Sequence, residues 1–255
     1  MSDPIYDPLI DRVPLLLQFD GSMADSSPLG LAMTASANAV LNTTQQRFGS
    51  GCLHITADSG RLSTPQSTAL AVGGSVPWTL ELSFRFPSSV VQCNFAWGFS
   101  DVGQSNAANV YVGVNGGKLI AYVQGINFHW VTGVIIDAPV VADRWYQLML
   151  RSMPNGVGGW LREVWLDGVL LGAHTAASPP ASMLSTGQGY GQWYLGFGPP
   201  AFGPGAGGPI LIDAVRLTNN FARPYVEQTD VYGTVAPQTF WPGAGQAWPG
   251  GTVAR

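Results

Sequence analysis

Residues Trp78-Thr79-Leu80-Glu81-Leu82-Ser83-Phe84-Arg85-Phe86 alternate apolar and polar side chains without a break. A period of two belongs to a β-strand, because successive side chains point to opposite faces of a sheet, whereas a helix would scatter the same apolar residues around its axis. The pattern predicts a half-buried strand, with Trp78, Leu80, Leu82, Phe84 and Phe86 facing a core and Thr79, Glu81, Ser83 and Arg85 facing water. One strand cannot bury that face alone. A second layer must cover it, and the rest of the chain has to supply that layer.

Beyond Phe86 the chain keeps the same period. Asn109-Val110-Tyr111-Val112-Gly113-Val114, the turn Asn115-Gly116-Gly117, and Lys118-Leu119-Ile120-Ala121-Tyr122-Val123 read as a hairpin whose turn residues tolerate positive φ. Arg162-Glu163-Val164-Trp165-Leu166, Asp167-Gly168 and Val169-Leu170-Leu171-Gly172 read as another. Residues 144–151 and 191–197 supply further strands, and no dozen residues hold a 3.6-residue apolar period. The expected fold is all-β, an antiparallel sandwich of two sheets, in which each strand buries one face and closes its ladder locally. Cys52 and Cys93 lie in strand-like apolar segments and read as buried free thiols.

The two ends differ from this middle. Residues 1–14 combine Pro and Asp without any period and read as an extended N-terminal arm. Residues 229–255 are rich in Gly and Pro and repeat Trp241-Pro242-Gly243 as Trp248-Pro249-Gly250. Such a segment cannot build a core of its own. Its aromatics therefore read as anchors, and Tyr6, Phe240, Trp241 and Trp248 are the candidate partner-docking residues. The domain organisation expected is an arm over 1–14, a sandwich over 15–228 and a Gly/Pro/Trp-rich arm over 229–255.

Charged residues make up 10% of the chain, against about 25% in ordinary globular domains. Two explanations are open: a surface of Ser, Thr, Asn, Gln and Gly, or a surface shared with neighbouring subunits. A net charge of −4 with no cluster of Lys or Arg excludes nucleic acid as an expected partner, since phosphates need a basic patch. Apolar runs are also too short to span a bilayer.

Several segments, taken in order, resemble a known family. They are Leu17-Gln18-Phe19-Asp20-Gly21, Asp25-Ser26-Ser27, Arg47-Phe48-Gly49-Ser50-Gly51, Trp78-Thr79-Leu80-Glu81, Arg144-Trp145-Tyr146-Gln147-Leu148, Trp165-Leu166-Asp167-Gly168 and Ile212-Asp213-Ala214-Val215-Arg216-Leu217. Together they resemble the laminin-G-like, concanavalin A-like jelly rolls over residues 15–225. The resemblance implies paired first and last strands and a structural calcium near their junction, for which Asp20 and Asp213 are the candidate ligands. It departs from the family where Ala214 stands in place of an acidic residue and where Pro224 interrupts the closing segment.

Jelly rolls of this kind include enzymes, lectins and structural modules, so function has to come from residues. Glycoside cleavage needs two carboxylates flanking the bond. The chain has three Glu, Glu81, Glu163 and Glu227, and no Glu-x-Asp pattern; Glu163 and Asp167 read as a solvated strand residue beside a turn residue. Gly49-Ser50-Gly51 lacks the wider nucleophile elbow, and residues 196–208 are not a phosphate loop. The expectation is a protein without catalytic residues. A sugar site would be an aromatic platform with polar groups beside it. Phe128-His129-Trp130 and Tyr190-Gly191-Gln192-Trp193-Tyr194 supply the glycan-binding candidates His129, Trp130, Trp193 and Tyr194.

An all-β shell of this type usually works outside cells, yet the first residues carry neither a basic patch nor an apolar stretch long enough for secretion. The leading expectation is therefore a non-enzymatic structural protein of a virus particle, most simply a capsid decoration protein of a tailed bacteriophage. It would be made in the host cytoplasm, held in the virion by its arms, and partnered by other virion proteins and by copies of itself. The alternative is a glycan-binding adhesin of a phage tail or cell surface. A second alternative is a glycoside hydrolase or lyase with an atypical site.

Overall fold

The computed structural model describes residues 10–99, 108–124, 126–129, 131–179, 191–196 and 209–223. Two antiparallel sheets face each other. The first contains β1 (Leu15–Leu17), β3 (Ala39–Asn42), β4 (Cys52–Ile55), β6 (Trp78–Arg85), β11 (Tyr146–Pro154), β12 (Trp160–Leu166), β13 (Val169–Ala176) and β15 (Ile210–Asn219). Its order is β13-β12-β11-β6-β15-β4-β3, with β1 pairing β15. The second contains β2 (Thr34–Ala35), β5 (Arg61–Ser63), β7 (Cys93–Phe99), β8 (Ala108–Asn115), β9 (Lys118–Val123), β10 (Ile126–Phe128) and β14 (Gln192–Gly196), in the order β10-β9-β8-β7-β14-β5-β2. Among the described residues the only helical pieces are two 3-10 turns, Ile10–Arg12 and Thr68–Leu70.

Both hairpins form where the turn chemistry placed them. Gly116 and Gly117 have φ of 57° and 74°, and Asp167 and Gly168 have φ of 47° and 83°, the left-handed pair a two-residue hairpin requires. The first and last strands pair as the resemblance implied, with Leu15 opposite Leu217 and Leu17 opposite Val215. Inward residues from both sheets fill one core, including Trp78, Leu80, Leu82, Phe84, Phe95, Val110, Val112, Leu148, Val164, Ile212 and Leu217. Cys52 and Cys93 are both buried free thiols, and burial pushes each thiol up to about 12.

One expectation about β6 fails. Its polar face is not solvated: Thr79 and Ser83 are fully buried and Glu81 is 3% exposed. Alternation records which side chains share a face, but not what lies over it. Here the closing segment after β15 crosses that face. The Arg223 amide donates to Thr79 Oγ1 at 2.8 Å, and its guanidinium pairs with Glu81 at 2.5 Å. From the other side Arg47 donates to Ser83 Oγ at 3.1 Å. Glu163 is likewise not a solvated strand residue. It is 6% exposed, pairs with Arg151 and accepts the Trp165 indole N–H at 2.8 Å. Asp167 does serve the turn, taking the Gln147 amide at 2.7 Å.

Candidate functional site

The outward face of the second sheet carries a continuous aromatic row. Across it, Tyr194 in β14 stands opposite Trp97 in β7, Trp97 opposite Tyr111 in β8, and Tyr111 opposite Tyr122 in β9. Directly paired residues share a face. Their sequence neighbours Trp193, Leu195, Ala96, Val110, Val112, Ala121 and Val123 belong to the core, so the four rings project the other way. With strands about 4.8 Å apart, the row spans about 14 Å. Polar residues continue it at both ends: Asn127 opposite Tyr122 in β10, and Ser63 and Thr34 beyond Tyr194.

The rings support one another. Tyr111 and Tyr122 stack with centroids 5.3 Å apart and planes 11° apart, and Trp97 meets Tyr111 at 5.6 Å. Burial raises the Tyr111 phenol, with Tyr122 adding to it, and burial raises Tyr194 against the opposing pull of Arg61. Both phenols therefore stay protonated at neutral pH and keep a donor. Amides border the row. Asn94 folds over Gly113, where any Cβ would come within 2.1 Å of Asn94 Oδ1, so glycine is required beside Tyr111. Gln192 donates to the Thr64 carbonyl at 2.8 Å, and Asn127 to Thr132 Oγ1 at 3.3 Å. Flat apolar ring faces bordered by amides and phenols suit the CH faces and hydroxyls of a sugar.

The residues singled out from sequence fare differently. Tyr194 stands in register with the row but is only 7% exposed. Trp193 does not: it is 1% exposed, its indole donates to the Leu70 carbonyl at 2.9 Å, and its ring faces the core, so it offers no face to a ligand. His129 follows β10 and shapes its own turn, with Nδ1 accepting the Val131 amide at 3.1 Å. Trp130 and the docking candidates Tyr6, Phe240, Trp241 and Trp248 lie outside the described residues. Sequence reading missed Trp97, Tyr111 and Tyr122 as site residues.

The calcium candidates Asp20 and Asp213 lie within electrostatic reach of each other. Asp20 follows β1 and Asp213 lies in β15, where a bulge over Asp213–Arg216 puts Ala214 at φ 49° and sets the direction of the preceding side chain. Asp213 is fully buried. Its Oδ2 accepts the Arg47 and Phe48 amides at 2.9 and 3.0 Å, while Oδ1 has no hydrogen-bond partner. Burial raises its carboxyl to about 7; the backbone amides oppose the shift and the Asp20 charge adds to it. Asp20 Oδ1 takes the Ser50 amide at 2.5 Å and lies over Gly49, whose φ of 56° and lack of space admit no Cβ. An orphaned carboxylate oxygen with a second carboxylate within electrostatic reach fits a hard cation. Among the described residues no third His, Cys, Asp or Glu joins them, so its other ligands would be carbonyl and water oxygens.

The fold is a concanavalin A-like jelly roll. Solved structures that share it include the endo-β-1,4-glucuronan lyase of the fungus Trichoderma reesei, at 13% identity and a TM-score of 0.54 over 81% of this chain and 95% of that one. Domain 4 of AbnA, an extracellular arabinanase of Geobacillus stearothermophilus solved with arabinotriose, aligns at 13% identity and 0.53 over 81% and 92%. The ligand-binding domain of botulinum neurotoxin serotype D, solved with N-acetylneuraminic acid, aligns at 10% and 0.53 over 83% and 48%; the chain spans about half of its length. Enzymes and binding domains both appear among these neighbours, and at such identities they share the fold alone. No family model and no curated protein matches the sequence.

Proposed function

We propose that this chain is a glycan-binding module that holds a saccharide on the half-buried rings of Trp97, Tyr111 and Tyr122, with the more deeply buried Tyr194 closing the row. The observation that carries the reading is the row itself: four aromatic side chains from four adjacent strands, on the outward face of a sheet whose inward face is fully packed. A sandwich has no need of such a row for its core, and the half-exposed rings of Trp97, Tyr111 and Tyr122 are where a ligand gains apolar area. That arabinotriose and N-acetylneuraminic acid are bound in domains of the same fold supports the choice of ligand class.

Binding is favoured over turnover because the described residues of the row include no Asp or Glu, the pair glycoside hydrolysis calls for. A lyase with the same fold makes turnover the reading to test beside it. The expectation of a place on a virus particle rests on readings of the sequence, its low charge and the aromatics of its terminal arms among them, and nothing in the described residues of the sandwich adds to it.

The test is a glycan array with the full chain, followed by calorimetry on any hit. Binding that falls at least about tenfold in Trp97→Ala, with unchanged circular dichroism, supports the reading. Absence of binding across neutral and acidic glycans, or binding untouched by Trp97→Ala and Tyr122→Ala, overturns it. Products released from a bound polysaccharide would convert it to the lyase reading.

A further inference from the structure

A second polar cluster lies between the sheets, with Tyr122 of the aromatic row within electrostatic reach of its Arg162. On the inner face of the first sheet, Trp78 stands opposite Ser152, Ser152 opposite Arg162, and Arg162 opposite His174, so β6, β11, β12 and β13 place these four side chains in one line. Trp78 is part of the core, which fixes the direction of the line as inward. From the other sheet Gln124, just past β9, reaches across to it, and the Trp78 indole donates to Gln124 Oε1 at 3.2 Å.

Five buried atoms here have no hydrogen-bond partner among the described residues: Gln124 Nε2, Ser152 Oγ, Arg162 Nε and Nη1, and His174 Nδ1. Their residues are deeply enclosed, Ser152 fully, Arg162 at 4% and Gln124 at 6% exposure, while His174 on edge strand β13 is only half-buried. All five atoms can donate. The indole has a donor and no acceptor, which assigns Oε1 of Gln124 to it and leaves the amide N–H groups over. Arg162 also brings a fixed positive charge. Its sequence neighbour Glu163 points to the opposite face, where Arg151 and Trp165 occupy it. An enclosed guanidinium without a counter-charge is costly, as is each enclosed donor without an acceptor. Desolvation accordingly lowers the Arg162 pKa, with the Tyr122 phenol opposing the shift.

We infer that Gln124, Ser152, Arg162 and His174 form a binding site for a compact oxyanion, best matched by a carboxylate, entered beside His174 at the β13 edge. A carboxylate accepts from several donors at once, donates to none, and neutralises the guanidinium. Water fits less well, since it leaves the charge unpaired. The carboxylate can come from an acidic sugar or from a small free anion. Tyr122 of the row lies within electrostatic reach of Arg162, whereas Trp97 is no part of this site, so Trp97→Ala tests the row alone and either assignment can fail alone.

The test uses the full chain, Arg162→Met and Ser152→Ala. Thermal midpoints are followed against sodium glucuronate, acetate, phosphate and neutral glucose at constant ionic strength. At least one oxyanion should raise the wild-type midpoint in a saturable way, glucose should not, Arg162→Met should abolish the response, and Ser152→Ala should weaken apparent affinity by up to about tenfold. A response to glucuronate alone identifies an acidic sugar; equal responses to acetate and glucuronate identify a free carboxylate; phosphate alone identifies an inorganic anion. Should Arg162→Met fail to fold, Ser152→Ala decides. No oxyanion response in the wild type, or the same response in wild type and the folded variants, overturns the inference.

Discussion

Tyr111 and Tyr122 face each other across β8 and β9 with their rings stacked at 5.3 Å, and this pair forms the β9 end of the outward aromatic row. Because each ring supports the other, removing one also loosens its partner. Tyr122→Ala is expected to lose about 1 kcal/mol of ring contact and to weaken binding of any glycan on the row by about fivefold to tenfold, with folding little changed. Tyr122→Phe keeps the ring and should lose much less. Calorimetry on the two variants separates stacking from phenol hydrogen bonding.

Trp193 and Trp97 sit opposite ways although their strands are adjacent. Trp193→Ala removes a fully enclosed indole and leaves the Leu70 carbonyl without its donor, so it should cost about 3–5 kcal/mol of stability in urea denaturation. Trp97→Ala should cost much less stability and act on binding. Equal destabilisation by the two would contradict the assignment of faces.

How far the sequence reveals this arrangement depends on the range of the contact. The Tyr111–Tyr122 pairing is readable: a two-residue Gly116-Gly117 turn sets Asn115 opposite Lys118, and counting back reaches Tyr111 opposite Tyr122. Trp97 beside Tyr194 is not readable, because β7 meets β14 only after many intervening residues and no local signal pairs them. For Trp193-Tyr194 the sequence shows two aromatics on opposite faces and nothing to say which face is the core. Strand β6 is legible in period but not in surroundings, since the cover over Glu81 comes from Arg223 at the far end of the sandwich. The orphaned donors around Arg162 are a property of three strand pairings at once, and period alone cannot reveal them.

Asp213 should make stability depend on pH with an unusual sign. Its folded carboxyl lies near 7, above the ordinary value of 3.8, so between those values the folded state binds a proton that the unfolded state has released. Its stabilising contribution is complete below about 4 and is lost as pH rises through about 7, with a slope of up to about 1.4 kcal/mol per pH unit. In chelator-containing buffer, urea denaturation from pH 4 to 8 should show this fall relative to Asp213→Asn. His54, whose pKa is lowered by burial, acts in the opposite direction at the acid end and remains in both proteins, so the difference isolates Asp213. Millimolar calcium should raise the thermal midpoint of the wild type at pH 7.5 and not that of Asp213→Asn; equal midpoints with and without calcium would remove the cation from Asp20 and Asp213.

Glu81 and Arg223 hold the closing segment against the outside of the first sheet, and the pair is well enclosed, with side-chain exposures of 3% and 17%. The attraction within such a pair barely exceeds the cost of desolvating it, but removing one member strands the other. Arg223→Ala should therefore destabilise by up to about 3 kcal/mol, since the Glu81 carboxylate stays under the sheet cover with one cation fewer, Arg216 standing opposite it in β15. Adding Glu81→Gln in the same chain should recover a large part of that loss, because the amide removes the stranded charge while keeping the volume. A double variant as unstable as the sum of the single ones would mean that the segment is held by the Arg223 amide bond to Thr79 and its packing instead.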